Sequence, residues 1–225
     1  MRQRVTKEAL NKRIFDIFLS TLGLFFSAPF WFIIAILTLL EDGRPIFYLQ
    51  DRVGKDGRIF KGVKFRSMVL EAEKNFGPVQ AQEHDGRITK LGRILRVSAM
   101  DELPQLWNIV KGDMSFVGPR ALRPFEVDSE DGKVRSIWEF EGAKERSSVR
   151  PGLTGIAQIL APRDIPRSEK FKYDIWYIKK RNFWLDVRII ILSFFITFMG
   201  KWEIREERFK VLTSRLNSQI GKDKS

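Results

Sequence analysis

Cysteine is absent from this sequence, and histidine occurs once, as His84. Without cysteine the chain forms neither disulfides nor thiolate metal sites. A single histidine also excludes a multi-histidine metal centre, so the chemistry must come from carboxylates, lysines and arginines. Internal repeats and a second globular domain are equally absent. The 225 residues suffice for one ordinary domain with an anchoring segment.

Negative charge is scarce. The chain has 28 Asp and Glu against 40 Lys and Arg, which gives a formal net charge of +12. This excess indicates a polyanionic partner: nucleic acid, an anionic membrane surface or a phosphorylated substrate. A nucleic-acid-binding protein needs a recognition helix or an aromatic stacking sheet. The sequence shows neither, so no nucleic-acid partner is expected, although a basic, membrane-anchored nucleic-acid binder stays the alternative hypothesis.

Charge is missing altogether from residues 17–40, a segment long enough for a hydrocarbon core of about 30 Å. Its Leu, Ile and Phe residues together favour insertion by about 5 to 9 kcal/mol. This exceeds the cost of about 3 kcal/mol for the central Pro29. A signal peptide would need a small-residue cleavage site after a shorter run. A buried soluble helix is seldom so long and so uniformly apolar, so we predict membrane insertion.

Basic residues flank the apolar segment on both sides, although the positive-inside tendency normally marks one side only. A helix that breaks at Pro29 and returns to its own side would satisfy both flanks. Ser27 could then satisfy backbone groups that the proline frees. From the residues alone, a kinked ordinary span and this re-entrant hairpin are both open.

The remaining chain predicts short elements. Residues 47–65 favour two strands around a turn at 53–57. Helical apolar spacing covers 87–97, and Pro104 and Gly112 are typical of the start and the end of a helix over 103–111. The other expectations are a helix at 68–76, a loop at 77–87, a solvated helix with loops over 121–149, an apolar run at 189–199 in the membrane interface, and a polar tail at 203–225.

Asp101 and Glu102 stand side by side before the predicted helix at 103–111. Adjacent helical residues point about 100° apart, so they are not a face-to-face acid–base couple. At a helix N-terminus, however, a carboxylate can ligate Mg²⁺ together with substrate phosphates, or attack phosphorus as a nucleophile. An ordinary N-cap is the simpler interpretation. Spacing alone leaves these interpretations open.

Cations recur around this acid pair in the sequence. The turn "VGPR" at 117–120 presents Arg120, whose planar guanidinium suits bidentate phosphate contact. Lys64, Arg66 and Arg96 are further candidates. Together they predict a phosphate-binding site, suited to a diphosphate whose charge must be offset before a carboxylate approaches it.

Five motifs occur in a familiar order: "KRIFD", the proline-containing apolar segment, "FYLQDRVGKDGRIFKGVKFRSM", "LGRILRVSAMDELPQLWNIVKGDMSFVGPR" and "RPGLTGIAQI". They resemble the bacterial sugar transferase family, the monotopic polyprenyl-phosphate phosphoglycosyl transferases, over about residues 10–200. The resemblance implies the small single-domain form. It also implies a mainly α fold with a small β-hairpin, in which a re-entrant helix–break–helix and interfacial amphipathic helices surround a compact cytosolic catalytic domain.

The resemblance implies an activity as well. Family members transfer a sugar 1-phosphate from a UDP-sugar to undecaprenyl phosphate and release UMP, with Mg²⁺ and a covalent phosphosugar–enzyme intermediate. By motif position, Asp101 resembles the nucleophile, and Glu102 resembles its partner in metal binding or acceptor activation. Arg120 resembles the phosphate-binding arginine, and Lys64 and Arg96 match other basic positions.

By the same resemblance, Ser27 and Pro29 mark the membrane break. Two departures bear on the detail: Ala28 separates Ser27 from Pro29, and Ala121 replaces the usual final proline of the turn. The segment near Pro29 then enters and leaves on the cytoplasmic face of the bacterial inner membrane, in contact with its lipids. The enzyme would begin surface-glycan synthesis and supply downstream glycosyltransferases.

Four segments follow from this interpretation: a basic amphipathic segment (1–16), the re-entrant helix (17–40), the transferase domain (41–202) and a polar tail (203–225). A conventional glycosyltransferase that releases UDP is the other alternative. Such enzymes often carry a spaced Asp-x-Asp metal motif, and "DEL" at 101–103 lacks its second aspartate.

Overall fold

The computed structural model describes residues 2–70, 85–127, 132–162 and 165–198. The chain is mainly helical in these ranges, as predicted. The helices are α1 (Arg2–Asp42), α2 (Lys90–Val97), α3 (Gln105–Lys111), α4 (Ala143–Arg146), α5 (Ile156–Leu160), α6 (Arg167–Lys180) and α7 (Phe183–Phe198). Single 3₁₀ turns occur at Lys55–Gly57, Met100–Glu102 and Ile137–Glu139.

Six short strands form three two-stranded sheets within the same ranges. The strands are β1 (Phe47–Val53), β2 (Ile59–Phe65), β3 (Ser115–Val117), β4 (Phe125–Val127), β5 (Val134–Ser136) and β6 (Gly152–Thr154). The pairs β1–β2 and β4–β5 are antiparallel hairpins, whereas β3 and β6 pair in parallel.

The predicted hairpin around residues 53–57 is confirmed. Phe47 lies opposite Phe65, and the register continues to the turn. The turn needs two consecutive positive φ angles, at Asp56 (54°) and Gly57 (80°), a conformation that Gly adopts freely and Asp tolerates. Phe60 packs in one buried cluster with residues of α3. The hairpin is therefore fixed against that helix.

Helices α2 and α3 are also confirmed. Pro104 immediately precedes α3, and Gly112 ends it in the left-handed region with φ of 100°. The Gly112 amide donates to the carbonyl of Asn108, which satisfies a free carbonyl of the last turn. Leu106 and Ile109 bury the inner face of α3.

The break predicted at Pro29 does not interrupt the helix, because α1 runs continuously from Arg2 to Asp42. The predicted boundary between segments 1–16 and 17–40 also falls inside α1. Proline removes one amide donor, but an internal proline can bend a helix without dividing it. Ser27 donates to the carbonyl of Leu24 (3.3 Å) and accepts from the indole of Trp31 (3.1 Å). Its hydroxyl therefore joins two turns of the helix across this region. The path of α1 relative to a bilayer stays a prediction.

The N-terminal part of α1 is held to the rest of the chain by the charged residues of "KRIFD". Lys12 forms an ion pair with Asp186 on α7. The guanidinium of Arg13 donates to the carbonyls of Ile109 (2.5 Å) and Val110 (2.7 Å), at the C-terminal end of α3. The Asp16 carboxylate accepts a hydrogen bond from the backbone amide of Phe116 (3.1 Å). We call the contacts of Lys12, Arg13 and Asp16 the N-terminal clamp.

The C-terminal end of α1 is held by a second set of charged contacts, the C-terminal clamp. Glu41 accepts hydrogen bonds from the amides of Lys90 (2.8 Å) and Leu91 (3.1 Å), the first residues of α2. Arg66 donates to the carbonyls of Asp42 and Gly43, both at 2.8 Å, and lies 3.1 Å from the Asp42 carboxylate. Both polar ends of α1 thus contact the same globular part of the chain.

Between its clamps, α1 has a packed face and an exposed apolar face. Gly23 lets Leu106 of α3 come close, since a Cβ atom at position 23 would lie 3.0 Å from the Leu106 side chain. On the other face, Phe25, Phe32 and Leu40 are more than two-thirds exposed. Within the described residues, one helical stretch, Leu10–Asp42, is long and apolar enough to cross a membrane.

The prediction of a solvated helix over 121–149 is wrong. This region contains the β4–β5 hairpin, a 3₁₀ turn and the four-residue helix α4. Two non-local pairings outweigh the helical composition. Glu126 lies opposite Arg135 in the hairpin, and Arg146 of α4 forms an ion pair with Asp174 of α6 at 3.0 Å, with both side chains 5% exposed.

The predicted apolar run at 189–199 falls mainly on α7. Ile189 and Ile196 are buried in a cluster with Trp176 and Tyr177 of α6, while Trp184 and Phe194 are exposed. The placement of this exposed face in a membrane interface stays a prediction. The helix predicted at 68–76 is not present at 68–70, where Met68 pairs with Ile88 in an isolated β-bridge. The expectations for 71–76, for 77–84 and for the tail at 203–225 lie outside the described residues.

The buried Arg146–Asp174 pair should contribute much more stability than an exposed pair on the same helix. We expect Asp174→Ala to lower the free energy of unfolding by about 3–5 kcal/mol, because it leaves a buried guanidinium without its counter-charge. Breaking the partly exposed Lys172–Glu169 pair with Glu169→Ala should cost at most about 1 kcal/mol. Denaturant unfolding in detergent measures both, and equal losses would contradict the assignment.

Candidate active site

The acid pair lies in the 3₁₀ turn Met100–Glu102, which α3 follows after Leu103 and Pro104. Ala99 starts this turn in the left-handed region, with φ of 55°. The N-cap position of α3 is Pro104, so neither carboxylate caps that helix. This removes the simple capping interpretation. Asp101 is 7% exposed and Glu102 is half-buried.

Lys64 bridges the two carboxylates. Its ammonium forms a short hydrogen bond with Oε1 of Glu102 and lies 3.7 Å from Oδ2 of Asp101. On the other side of Glu102, the guanidinium of Arg120 lies 3.8 Å from the same Oε1. The negative charges of the acid pair are therefore offset by a lysine from β2 and an arginine from the turn after β3.

The two carboxylates have different proton affinities. Burial opposes the ionisation of Glu102, but the charges of Lys64 and Arg120 outweigh it and lower the pKa of Glu102 to about 2. Burial dominates at Asp101 and raises its pKa, and repulsion from Glu102 adds to this, while Lys64 and Arg96 act against it. Glu102 is thus the more firmly ionised group, and Asp101 is the more basic one.

Asn108 holds the strand that carries Lys64. Its buried side-chain amide accepts from the amide of Val63 (3.1 Å) and donates to the carbonyl of Lys61 (2.9 Å). These two backbone groups belong to the edge of β2 that does not pair with β1. The Asn108 side chain therefore makes the hydrogen bonds that a further strand would make at this edge. It thereby fixes the position of Lys64 relative to the acid pair. Asp113 accepts a further bond from the same amide group (3.3 Å).

The turn that carries Arg120 is locked by a close crossing of two glycine-containing segments. A Cβ at Gly152 would lie 2.1 Å from the amide nitrogen of Gly118, and a Cβ at Gly118 would lie 2.5 Å from the carbonyl of Arg150. The amide of Gly152 donates to Pro119 (2.8 Å). Only glycine fits at this crossing, which explains why "VGPR" and "RPGLTG" both occur in the sequence. In addition, Arg146 donates to the carbonyl of Arg120 (2.6 Å).

An open cleft lies between these elements. It is lined by Gln50, Arg52, Gly62, Lys64, Glu102, Gln105, Arg120, Ala121, Gly152 and Leu153. The β1–β2 hairpin forms one wall, and the Arg120 turn with β6 forms another. The cleft combines one firmly ionised carboxylate with three cationic side chains, which suits an anionic ligand such as a phosphate ester.

A known protein family matches most of the chain. The family described as "Bacterial sugar transferase" matches residues 7–200. The chain belongs to the bacterial sugar transferase family. The match covers both clamps of α1, the acid pair and all the cleft residues.

Three relatives illustrate the range of donors within this family. A "UDP-glucose:undecaprenyl-phosphate glucose-1-phosphate transferase" of Klebsiella pneumoniae is 39% identical, with 84% of this chain and 40% of the relative covered. A "UDP-N-acetylgalactosamine-undecaprenyl-phosphate N-acetylgalactosaminephosphotransferase" of Aeromonas hydrophila is 38% identical over 81% and 42%. A "UDP-galactose-lipid carrier transferase" of Erwinia amylovora is 35% identical over 80% and 38%. The chain spans about two-fifths of the length of these relatives.

Most of the predicted site residues of this transferase-family chain come together. Lys64, Glu102 and Arg120 line the cleft, and Asp101 lies beside Lys64. Arg96 donates to the hydroxyl of Ser67 (2.9 Å), and its charge acts on Asp101.

Three predicted residues lie elsewhere. Arg66 is buried in the C-terminal clamp and is not among the cleft residues, so its predicted contact with substrate phosphate stays a prediction. Alternation along a strand would place Arg66 on the same face as Lys64, but β2 ends at Phe65 and the chain leaves the strand there. Ser27 and Pro29 belong to α1 and were predicted as membrane residues rather than as part of the cleft.

Sequence reasoning missed Gln50 and Arg52 in the cleft wall. A usable signal was present, because residues two apart on a strand face the same side. Gln50 lies opposite Gly62 in the hairpin. The face of β2 that carries Gly62 and Lys64 therefore continues across β1 into Gln50 and Arg52.

Lys64 should control the titration of Glu102. We expect Lys64→Met to raise the Glu102 pKa by about 1–3 units, because the nearest opposite charge is lost. In the unchanged protein, Glu102 contributes stability above pH 4.5, and this is lost as the pH falls toward about 2. In the variant this contribution is smaller, and its loss is complete at a higher pH.

Carbon-13 NMR of the labelled Glu carboxyl groups in nanodiscs measures the shift, with Glu102→Gln assigning the resonance. Lys61→Met is the matched control, since Lys61 lies on the same strand but pairs with the exposed Asp51. A Glu102 titration that is unchanged by Lys64→Met would contradict the electrostatic assignment.

Proposed function

We propose that this protein transfers a sugar 1-phosphate from a UDP-sugar to a polyprenyl phosphate such as undecaprenyl phosphate, and releases UMP. The observation that carries this proposal is the acid pair bridged by Lys64 at a cleft lined by Arg52 and Arg120. The cations can offset the charge of a diphosphate, and a carboxylate is then able to approach it. The names of the relatives state this donor and acceptor chemistry for those proteins.

The difference between the two carboxylates favours Asp101 as the nucleophile. Glu102 is bound by Lys64 and Arg120, and a carboxylate with a pKa near 2 is a weak nucleophile. Asp101 is the more basic of the two, and its closest cation is 3.7 Å away. Its lone pair is therefore more available for attack on phosphorus.

In the first step, a carboxylate oxygen of Asp101 forms a bond to the β-phosphorus of the UDP-sugar. The bond from that phosphorus to the bridging oxygen breaks, and the electron pair leaves with UMP. In the second step, a phosphate oxygen of the polyprenyl phosphate attacks the same phosphorus. The aspartyl–phosphorus bond breaks, Asp101 regains its carboxylate, and a lipid-linked diphosphosugar is formed. Glycosyltransferases that extend this lipid-linked sugar would act next.

The site fits Mg²⁺ as a cofactor. Asp101 and Glu102 supply two adjacent carboxylates, and none of the described residues completes a cluster of three or more metal-binding side chains. Mg²⁺ typically takes one or two protein carboxylates and completes its shell with substrate phosphates and water. When bound, it would neutralise charge on the diphosphate. Lys64, Arg96 and Arg120 orient the phosphoryl groups.

The two clamps of α1 support attachment to one face of the membrane. The helix rises about 45 Å between Lys12 and Asp42, more than the hydrocarbon thickness of about 30 Å. Both clamps nevertheless contact the same globular part of the chain. A simple crossing would place these polar contacts on opposite sides of the bilayer. We therefore infer that α1 enters and leaves at one face, with its exposed Phe and Leu residues in the lipid.

That face would be the cytoplasmic face of the bacterial inner membrane, because UDP-sugars arrive from the cytosol. The polyprenyl chain stays in the bilayer while its phosphate reaches the cleft at headgroup depth. Anionic lipids attract the basic surface by about 1 kcal/mol for each nearby Lys or Arg. The product would begin a surface glycan, such as O-antigen, capsule, exopolysaccharide or a glycoprotein glycan.

Asp101→Asn should abolish turnover, because an amide cannot form the covalent phosphosugar intermediate. Purified protein is incubated with Mg²⁺, undecaprenyl phosphate and a panel of UDP-sugars, and UMP and UDP are quantified separately. A donor labelled in its β-phosphate, without acceptor, should label the unchanged protein and leave Asp101→Asn unlabelled. Glu141→Gln, an exposed acid outside the cleft, is the control and should behave as the unchanged protein.

UDP as the nucleotide product would contradict phosphosugar transfer and support a conventional glycosyltransferase. Normal turnover by Asp101→Asn would contradict its role as nucleophile. Chelation of Mg²⁺ by EDTA should stop UMP release, and added Mg²⁺ should restore it.

Single cysteines can test the topology, because the natural chain has none. Asn11→Cys and Arg44→Cys place exposed thiols beside the two clamps. We expect both to be protected from a membrane-impermeant maleimide in intact spheroplasts and labelled in inside-out vesicles. Opposite labelling of the two positions would show that α1 crosses the membrane.

A further inference from the structure

Arg52 lies in the cleft wall, and its side chain is held there by contacts that involve neither the acid pair nor Lys64. Its guanidinium donates to the carbonyl of Ala121 (2.8 Å) and to the side-chain oxygen of Gln50. These contacts use two of the five N–H donors of the side chain and fix the guanidinium in place. The remaining donors are available to a ligand in the cleft that Arg52 lines.

Gly62 provides the space in which the stem of Arg52 lies. A Cβ atom at position 62 would lie 3.0 Å from Cγ of Arg52, so even alanine would push against this stem. Gly62 has no positive φ that would require glycine, and glycine inside a strand is otherwise unfavourable. The glycine is therefore explained by the arginine that crosses it.

Charges of both signs act on Arg52. Burial is the largest cause that lowers the pKa of Arg52 to about 10; repulsion from Arg120 comes next, and attraction by Glu126 opposes it. Arg120 lines the same cleft and is half exposed. An anion bound between the guanidinium groups of Arg52 and Arg120 would remove their repulsion, which favours an anionic ligand at this position.

The cations near the acid pair differ in which carboxylate they act on. Lys64 and Arg120 act on both Asp101 and Glu102, Arg96 acts on Asp101, and Arg52 acts on Glu102. A diphosphate also has two phosphoryl groups, of which one is attacked by Asp101 and the other departs. The side of the cleft with Arg52 is therefore suited to the departing group.

We propose that Arg52, held by Gln50 and given room by Gly62, binds the α-phosphate of the UDP-sugar donor, the group that leaves as UMP. This proposal rests on the proposed function. It makes Arg52 a donor-binding residue, separate from the cations that face the attacked phosphorus. It also predicts that the product UMP retains this contact, while the polyprenyl phosphate acceptor does not use it.

Direct binding of UMP tests the proposal without turnover. Isothermal titration calorimetry in nanodiscs should show that Arg52→Gln weakens UMP binding by about tenfold to a hundredfold, the range expected for one hydrogen bond to a charged group. Arg52→Lys should restore part of the affinity, because it keeps the charge but loses the planar fork. Arg58→Gln, an exposed arginine of the same hairpin outside the cleft, should bind UMP as the unchanged protein does.

Gly62→Ala gives an independent test in which Arg52 is still present. It should weaken UMP binding in the same direction, because the new methyl group displaces the arginine stem. Steady-state kinetics should show a raised KM for the UDP-sugar and an unchanged KM for undecaprenyl phosphate in Arg52→Gln. Thermal unfolding establishes that each variant is folded, and Gly62→Ala and Arg52→Lys carry the test if Arg52→Gln is not.

Unchanged UMP affinity in folded Arg52→Gln would overturn the proposal, as would equal increases in the KM of donor and acceptor. These outcomes differ from a failure of the proposed function. In that case the unchanged protein would release no UMP from any donor, whatever residue stands at position 52.

Discussion

The bridge from Lys64 to Asp101 and Glu102 is the contact on which the site depends. Two adjacent carboxylates at a largely buried turn would repel each other, and the ammonium of Lys64 offsets that repulsion. Lys64 comes from β2, so the bridge exists only while the hairpin is held against α3. Asn108 supplies this attachment, because its side-chain amide accepts from the backbone N–H of Val63 and donates to the backbone carbonyl of Lys61.

Helix α3 connects the acid pair to α1, the candidate membrane helix. The pair precedes its N-terminal end, while Arg13 of α1 binds carbonyls at its C-terminal end. Leu106, in the middle of α3, packs against Gly23. Since α3 has only seven residues, these contacts leave little freedom between α1 and the acid pair. Under the proposed function, the depth of α1 in a bilayer would determine the height at which Asp101 meets a lipid-borne phosphate.

Local sequence patterns predicted an element correctly where residues within that element determine its structure. The β1–β2 turn, helix α2 and the limits of α3 follow from Gly, Pro and apolar spacing, and the structure has them. The acid pair and Lys64 also meet as expected. Tertiary pairing decided the remaining placements. Composition in 121–149 favours a helix, but the region pairs as a hairpin, and Arg66 binds the end of α1 because the fold, rather than its neighbours in sequence, places Asp42 there.

The arginines show why charge alone does not locate a binding residue. Arg66 is buried and Arg52 is half-buried, and both donate to backbone carbonyls. Arg66 also has the Asp42 carboxylate beside it at 3.1 Å, so its charge is compensated within the protein. The hydrogen bonds of Arg52 go to the Ala121 carbonyl and the Gln50 side chain, and the strongest charge acting on Arg52 is that of Arg120. A phosphate bound between Arg52 and Arg120 would remove their repulsion. We therefore infer the ligand-binding arginine from the groups around each guanidinium and not from its position in a motif.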